Sequence, residues 1–574
     1  MIDTPAVPDA TAVAQRLDLG AVKKTQVVVI GGGINGAATF RDLALQGIDV
    51  VLIERNDFSS GASAASSHMV HGGLRYLENG ELRLVQESVR ERNALLMTAP
   101  HHVKPLATTI PLRKTWSGAI AAPLRVLRHK PGNSGTERGA ILAKLGLMMY
   151  DSYSRRNGSV PAHVMERRSS FEDKFPDFAP DISWAATYYD ASVGQPERVA
   201  MDLILDGVNA HAGAHAVNYV EATGLDDGVV RYRDGISGSE GSIEADVIVN
   251  ASGPWTDLTN ASFGQPSEYM GGTKGSHIVV DSPELLDATH GHEIFFEHPD
   301  GRIVLIYPLH GRVMIGTTDI PVDPREPAVC TPEEVEYFLD LVGLVFPDIP
   351  VAQDQIVYKF SGIRPLPKAE DSAPGVVSRD YRLEQETSGD AHVISIVGGK
   401  WTTFRALGER VTDEVLPLLG ATRKRSTLRE WIGGGRGYPK TPGEMAAWRD
   451  RNIPGLDDRR RNTLFERYGT RARDVAQFIA AGPDVDIEGT DLSTAEVRFL
   501  VHVEHAVRVA DVIQRRTTSA FRGGLTAKAV RDVADAMAPA LGWSEEETAK
   551  QAQTCMDVLE SAHGVAWNHT SQEV

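Results

Sequence analysis

The chain has 574 residues, of which 42% are hydrophobic and 24% charged, which is the composition of a folded protein of several domains. Acidic residues outnumber basic ones by 77 to 59, and the resulting net charge of −18 argues against a nucleic-acid partner. The two cysteines, Cys330 and Cys555, are too few for a disulfide framework or a thiolate zinc site, so we expect a reducing compartment and no bound metal.

Residues 1–24 are expected to be a flexible tail, because they have neither the basic start nor the apolar stretch of an export signal. No window approaches the ~18 uninterrupted apolar residues that a membrane-spanning helix needs. A cytoplasmic location is therefore expected, with any membrane contact being peripheral, on the inner face of the cell membrane.

The sequence next predicts a βαβ unit. Residues 27–30 form a β-branched apolar run that stops at three consecutive glycines, and residues 35–46 have helical character. Residues 48–53 form a second apolar run, which ends in Glu54. This order of strand, glycine turn, helix and strand is typical of a nucleotide-binding α/β domain.

The glycine turn carries a dinucleotide-binding pattern. Gly31, Gly33 and Gly36 form G-x-G-x-x-G, in which the first glycine permits the turn, the second admits a pyrophosphate and the third lets helix pack on strand. The pyrophosphate would lie at the helix N-terminus, and the Glu54 carboxylate can accept hydrogen bonds from the adenosine ribose. An acid at that position disfavours a 2′-phosphate, and therefore NADP.

Later segments predict a second sheet and a helical domain. Two further buried strands are expected at 245–249 and 392–397, the second followed by a helix over 404–418. Between those strands, alternating apolar and polar residues predict antiparallel strands at 274–280, 302–307 and 312–315. After about residue 433, amphipathic helices are predicted, notably over 494–514 and 527–541.

Two features favour FAD over NAD as the nucleotide. The loop 59–67 (SSGASAASS) consists of small residues that could follow an extended cofactor closely. Gly398 and Gly399 lie far along the chain at a strand-to-helix turn, where a second helix N-terminus could face the flavin and favour the negative charge of its reduced form.

A set of motifs then resembles one family. The motifs are GGGINGA (31–37), HGGLRYL (71–77), NASGPW (250–255), KGSHIVV (274–280), GTTD (316–319), SGIRPL (361–366), SRDY (378–381) and GGKWTT (398–403). Their order and content resemble FAD-dependent glycerol-3-phosphate dehydrogenases over most of the chain.

The resemblance implies an α/β fold: a glutathione-reductase-like FAD-binding Rossmann domain, an antiparallel-sheet substrate domain (α+β) and an all-α C-terminal domain. The implied boundaries are 25–100, 180–255 and 356–425 for the FAD domain, 101–179 and 256–355 for the substrate domain, and 433–574 for the helical domain. The implied reaction is oxidation of sn-glycerol 3-phosphate to dihydroxyacetone phosphate, with hydride transfer to flavin N5 and electrons passing on to a quinone.

The resemblance and the pattern together assign site residues. Arginine suits phosphate because its planar fork donates two parallel hydrogen bonds, whereas histidine suits proton acceptance near neutrality. His277, Arg364 and Lys400 are assigned to catalysis, with His277 the first choice of proton acceptor and His71 the second. The substrate-binding residues are Arg75, Tyr76, Arg379 and His71. The cofactor-binding residues are Gly31, Gly33, Gly36, Glu54, Ser63, Ser66, Ser67, Gly253, Gly398, Gly399 and Thr402. Either histidine could instead only hydrogen-bond a loop or the flavin.

Residues 113–150 form a basic segment in an acidic protein, with seven basic residues against one acidic residue. Basic and apolar side chains together suit an anionic bilayer surface, which would bring the flavin near a quinone pool. A solvated loop followed by a core helix is the competing interpretation.

Three other functions remain open from the sequence. An oxidase of the same substrate would use oxygen and make hydrogen peroxide, and a non-catalytic scaffold would only hold FAD. A flavin oxidase of amino acids shares the nucleotide fingerprint, but a carboxylate substrate needs fewer cations than a phosphate does. The oligomeric state is also open, a homodimer being one option.

Overall fold

The architecture is two β-sheets with a cap of helices, in a computed structural model that describes residues 14, 16–73, 81–114, 140–154, 160–298, 302–368 and 380–567. The strands in these ranges are β1 (Lys24–Ile30), β2 (Val50–Glu54), β3 (Met69–Val70), β4 (Val103–Leu112), β5 (Val164–Arg167), β6 (Trp184–Val193), β7 (Ala214–Asn218), β8 (Val220–Asp226), β9 (Val229–Asp234), β10 (Glu240–Asn250), β11 (Thr273–Val280), β12 (Glu293–Glu297), β13 (Ile303–Leu309), β14 (Arg312–Gly316), β15 (Ile320–Pro321), β16 (Ile356–Arg364), β17 (Arg382–Ser388) and β18 (Ala391–Val397).

The helices fall between these strands and after them. They are α1 (Ile34–Gln46), α2 (Leu82–Thr98), α3 (Ala140–Ser154), α4 (Arg168–Phe171), α5 (Pro196–Ala210), α6 (Thr256–Ser262), α7 (Pro283–Ala288), α8 (Pro332–Val345), α9 (Phe404–Leu418), α10 (Pro442–Asn452), α11 (Asp458–Tyr468), α12 (Ala472–Ala480), α13 (Thr494–Glu504), α14 (Ser519–Arg522), α15 (Ala527–Leu541) and α16 (Glu545–His563). Side chains cap many of the helix starts, as at α8, where Thr331 and Glu334 form a capping box.

The first sheet has a parallel centre, in the order β18-β10-β1-β2-β7. Its central strands β1 and β2 contain continuous apolar runs because both faces are covered, which is typical of parallel sheets. On one face, α1 lies between α5 and α9 and is buried almost all round. Gly408 of α9 permits this approach, since a Cβ there would lie 2.8 Å from the backbone of Ala38.

The second sheet is antiparallel except for the β12–β4 pair, which is parallel. Alternate residues of β11 face opposite ways, as expected for a strand covered on both sides. Ile278 and Val280 pack in a core with α8, whereas Val279 packs in a core formed mainly by the C-terminal helices. The antiparallel sheet predicted between residues 274 and 315 is therefore present and is larger than the sequence indicated.

Sheet pairing differs from the predicted domain boundaries at two long strands. β6 and β16 fall within 180–255 and 356–425, which were assigned to the FAD domain, yet they pair with β4 and β11 in the second sheet. The short β3, within 25–100, also joins that sheet. A strand's apolar pattern shows that it is buried but does not specify its partner, which explains the difference. The remaining boundaries stay a prediction.

The C-terminal region is helical as predicted, but the single helix predicted over 494–514 is wrong. α13 ends at His505, whose backbone is left-handed with φ 56°. The chain resumes as a short π-helical segment, Asp511–Arg516, which starts where the Asp511 carboxylate accepts the backbone N–H groups of Val507 and Arg508. Competition from a local side chain for backbone donors ends the helix there.

No helix in the described ranges is long and apolar enough to cross a membrane. The basic segment 113–150 lies outside the described residues over 115–139. Arg113 forms an ion pair with Asp181, and Met148 and Met149 on α3 are exposed.

Candidate active site

The glycine turn between β1 and α1 has the geometry that its sequence predicts. Gly31 has φ +108°, and a Cβ there would lie 2.6 Å from the carbonyl oxygen of Ala251, which directly follows the neighbouring strand β10. A Cβ on Gly36 would collide with the carbonyl oxygen of Gly31. A Cβ on Gly33 would meet only the Ser63 hydroxyl, at 3.1 Å, so the turn is open at this position. The N-terminus of α1 is thus accessible to an anion.

Two side chains organise this turn. Ser63 Oγ accepts the backbone N–H of Ile34 at 2.9 Å, at the first residue of α1. The Glu54 carboxylate accepts the backbone N–H of Gly32 at 2.7 Å and that of Asn56 at 2.9 Å. Burial raises the pKa of Glu54, because its nearest donors are neutral amides that offset only part of the desolvation.

A cavity of about 420 Å³ opens in front of the turn. Its lining includes Gly31, Gly33, Glu54, Ser63, Gly253 and Gly399 from the predicted cofactor set, together with Lys400. The other predicted cofactor residues, Gly36, Ser66, Ser67, Gly398 and Thr402, do not line it. Gly36 acts beneath it by letting α1 approach β1.

Strands β11 and β16 of the second sheet present a face to the loop 59–67. Gly275 pairs with Gly362 in the ladder, and Ala65 of the loop lies so close to Gly362 that a Cβ there would collide with it. Because Gly275 has no side chain, there is room for the Arg364 guanidinium, and because Gly316 has none, there is room for the His277 ring. Glycines therefore create the space in which two of the three predicted catalytic side chains, Arg364 and His277, lie.

His277 is buried on this face. Its Nε2 lies 2.9 Å from the Ser67 hydroxyl, and its ring stacks on Phe360 with the ring centres 4.7 Å apart. Nδ1 has no hydrogen-bond partner among the described residues. Burial, followed by the charges of Arg364 and His68, holds the pKa of His277 well below its usual value, so the imidazole is neutral at neutral pH.

Arg364 and Lys400 are anchored by different neighbours. Arg364 donates to Asp319 Oδ1 at 3.0 Å and to Thr317 Oγ1 at 2.9 Å, both residues of the GTTD motif. Lys400 Nζ donates to the carbonyl oxygen of His71 at 2.7 Å, which brings the HGG and GGK motifs together. Pro365, next to Arg364, lines the same cavity as Lys400.

The remaining predicted residues divide into two groups. Arg75, Tyr76 and Arg379 lie outside the described residues. The others lie near the cavity without lining it: Thr402 Oγ1 donates to the carbonyl oxygen of His71 at 3.4 Å, and Ser66 Oγ accepts the N–H of His68 at 3.3 Å. Gly398 has φ +86°, which the turn into α9 requires.

Comparisons with known proteins identify the family of this chain. The FAD dependent oxidoreductase family matches residues 26–414, and the C-terminal domain of alpha-glycerophosphate oxidase matches residues 394–548. A glycerol-3-phosphate dehydrogenase of Synechocystis is 32% identical over 93% of this chain and 96% of its own. The chain belongs to the FAD-dependent glycerol-3-phosphate dehydrogenase family.

Two further relatives extend this picture. A D-erythritol 1-phosphate dehydrogenase of Brucella abortus is 30% identical over 85% of this chain and 93% of its own. The glycerol-3-phosphate dehydrogenase of Bacillus halodurans, solved with FAD, has a TM-score of 0.68 at 24% identity, covering 94% of this chain and 95% of that one. The latter confirms the fold of a Rossmann-like sheet with a helical C-terminal domain.

FAD is the cofactor of this family, and the cavity fits it. Two buried polar atoms, Asn35 Oδ1 and Trp401 Nε1, belong to residues that line the cavity and lack a hydrogen-bond partner among the described residues. A bound nucleotide has the donors and acceptors to form a hydrogen bond with each of these two atoms. The Arg55 guanidinium lies 4.6 Å from the centre of the Trp255 ring, and both residues also line the cavity.

These four residues were not predicted from the sequence as site residues. Asn35, Trp255 and Trp401 lie within the motifs GGGINGA, NASGPW and GGKWTT, so their position in motifs was the available signal. Arg55 directly follows Glu54 and carried no separate signal.

The two glycines of the turn should respond differently to alanine. Gly36→Ala should lower both the thermal unfolding midpoint and the FAD content, because its methyl group forces α1 away from β1. Gly33→Ala should leave the unfolding midpoint of the FAD-free protein nearly unchanged. Its dissociation constant for FAD should rise about ten- to a hundredfold, the loss expected when hydrogen bonds to a charged group are weakened.

Flavin fluorescence titration and circular dichroism melting would measure the two quantities on the FAD-free proteins. Equal loss of stability in both variants would contradict the assignment of Gly33 to the cofactor.

Proposed function

We propose that this chain oxidises sn-glycerol 3-phosphate to dihydroxyacetone phosphate and passes the electrons through FAD to a quinone. The observation that carries the proposal is that Arg364 and the buried His277 lie on the paired strands β16 and β11, with the Arg364 charge acting on the His277 ring, while Lys400 and Pro365, the residue next to Arg364, line the nucleotide cavity. A scaffold that only held FAD would have no need of a cation, a neutral imidazole and an ammonium group there. The two curated relatives described above both act, by name, on phosphorylated polyols.

Arg364 is proposed to bind the phosphate of the substrate. A guanidinium held by Asp319 and Thr317 keeps a fixed orientation, which favours paired hydrogen bonds to a phosphate over the looser contact of a lysine. Arg75, Tyr76 and Arg379 are proposed to join it, on the strength of their motifs. Lys400 adds positive charge at the cavity wall and holds His71 in place.

His277 is proposed to accept the proton of the substrate hydroxyl group. Oxidation of the alcohol removes a hydride from C2 and a proton from its hydroxyl group, and bound FAD supplies the two-electron acceptor. With Nε2–H donating to Ser67 Oγ, the unpartnered Nδ1 of His277 carries the lone pair that accepts the proton. Stacking on Phe360 fixes the plane of the ring.

Anaerobic reduction tests the function directly. Glycerol 3-phosphate should bleach the flavin absorbance of the holoprotein without oxygen, and a soluble quinone should restore it. D-erythritol 1-phosphate should bleach it more slowly at equal concentration. Failure of both substrates to bleach the flavin would support the scaffold, whereas stoichiometric hydrogen peroxide in air, with no response to quinone, would support the oxidase.

Arg364→Lys should raise KM for glycerol 3-phosphate about ten- to a hundredfold, because the lysine keeps the charge but loses the paired hydrogen bonds. The effect on kcat should be smaller. Arg312→Lys is the matched control, since Arg312 lies on β14 of the same sheet and donates to the carbonyl oxygen of Arg522, outside the cavity lining. Steady-state kinetics with a quinone acceptor would measure both. Equal KM values for the two variants would argue against Arg364 as a phosphate ligand.

The pH profile tests His277. Because its pKa lies well below the usual 6.5, kcat/KM should stay level as pH falls through 6.5 and decline only at markedly lower pH, where the imidazole becomes protonated. His277→Gln should lower kcat by about 10²–10⁴-fold and remove that acid limb. If His71→Gln removed the limb and His277→Gln kept it, His71 would be the proton acceptor.

We further propose peripheral membrane contact through residues 113–150, supported by the net positive charge of that segment and the exposed Met148 and Met149. Deleting residues 117–139 should reduce co-sedimentation with anionic liposomes and leave reduction of a soluble quinone intact. Unchanged liposome binding would refute the contact.

A further inference from the structure

The loop that follows β2 rests directly on the glycine turn. This loop, residues 55–60, places the buried Phe58 ring so close to Gly32 that a Cβ on Gly32 would lie 2.6 Å from it. The backbone N–H of Ser59 donates to the carbonyl oxygen of Gly32 at 3.0 Å. Ser60, at the end of the loop, lines the nucleotide cavity. The position of this loop therefore fixes one wall of the cofactor site.

A buried carboxylate, that of Asp57, joins the loop to the C-terminal helical region. Arg516 donates through both terminal nitrogens to the two oxygens of Asp57, at 2.8 and 2.9 Å, and Arg515 Nε donates to Oδ2 at 2.5 Å. Asn218 Nδ2 adds a fourth hydrogen bond, at 2.9 Å. Asp57 has no exposed surface, so none of these bonds is replaced by water at low cost.

A second carboxylate fixes the arginines in turn. Asp511 accepts Arg515 Nη2 at 2.6 Å and the Tyr219 hydroxyl at 2.6 Å, while the carbonyl oxygen of Glu504 accepts Arg516 Nη2 at 2.8 Å. Burial opposes ionisation of Asp57, but Arg516 and Arg515 hold its pKa well below the usual range. Both arginines are thus committed to Asp57 in a charge-paired network.

We propose that Arg515 and Arg516 are positioning residues for FAD, which hold the loop 55–60 against the glycine turn and so couple FAD binding to docking of the C-terminal helices. The proposal rests on the FAD assignment and is independent of the substrate. A buried charge pair resists separation because either partner alone is strongly penalised, so the loop and the segment Asp511–Arg516 move together. Coupling of this kind is reciprocal, and bound FAD should in turn tighten the C-terminal contact.

Variants at the pair provide the first test. Asp57→Asn and Arg516→Lys, in the full-length FAD-free protein, should each raise the dissociation constant for FAD about tenfold or more, the loss typical of residues that support a ligand-holding shell. Arg471→Lys is the matched control, because Arg471 also joins the C-terminal region to α5, through Asp202 and Asp206, and has no ion-pair partner in common with Arg516 among the described residues. It should lower the unfolding midpoint comparably and leave FAD affinity within about twofold, a change equivalent to less than half a kcal/mol.

Flavin fluorescence titration and thermal unfolding would supply the two readouts for each variant. If Arg516→Lys lowered the unfolding midpoint and left FAD affinity unchanged, as the control does, the contact would be structural only and the proposal would be overturned.

The unmodified protein provides a second test, which does not depend on whether a variant folds. Hydrogen exchange of backbone amides should slow in residues 511–516 when FAD is added, as well as in the glycine turn. Protection of the turn alone, with no change in 511–516, would overturn the coupling. Since neither experiment uses glycerol 3-phosphate, an error in the substrate assignment would leave both readouts intact.

Discussion

The close approach of α1 to β1 is the constraint on which the rest of the site depends. It exists only because Gly36 has no side chain to strike the carbonyl oxygen of Gly31, and because Gly31 adopts a left-handed conformation beside Ala251. That approach directs the N-terminus of the helix at the cavity, where the helix dipole favours an anion such as the cofactor's pyrophosphate. Glu54 and Ser63 add hydrogen bonds to a geometry that the glycines make available.

On the antiparallel sheet, too, glycines make room for the groups of the candidate site. The side chains of Arg364 and His277 lie across positions where Gly275 and Gly316 leave room, and Gly362 lets the loop 59–67 pack against the strands. The side chains proposed to bind substrate and accept the proton, Arg364 and His277, are therefore borne by regular strands, which hold side chains more rigidly than loops do. The imidazole of His277 is neutral beside the Arg364 cation, because burial depresses the pKa of the histidine and the charge of Arg364 depresses it further.

The sequence pattern predicted those elements that depend on residues close together in the chain. The βαβ unit, the strand and helix of the GGK motif and the helix over 527–541 appear at the predicted residues, since each depends on neighbours in sequence. The partners of β6 and β16 were not predictable, because strand pairing is chosen by the whole sheet. Neither was the contact of Asp57 with Arg515 and Arg516, which joins residues more than 400 positions apart and leaves no periodic signal.

Two carboxylates three positions apart show how environment assigns their roles. Asp57 is enclosed by two guanidinium groups, which lower its pKa and donate three hydrogen bonds to it, and Asn218 donates a fourth. Glu54 accepts hydrogen bonds from two backbone N–H groups and lines the cavity, and burial raises its pKa. A carboxylate that accepts two hydrogen bonds keeps lone pairs for ligand hydroxyls, whereas one that accepts four, three of them from arginines, does not. Glu54 is consequently the residue suited to contact the nucleotide, and Asp57 the one suited to anchor the loop between them.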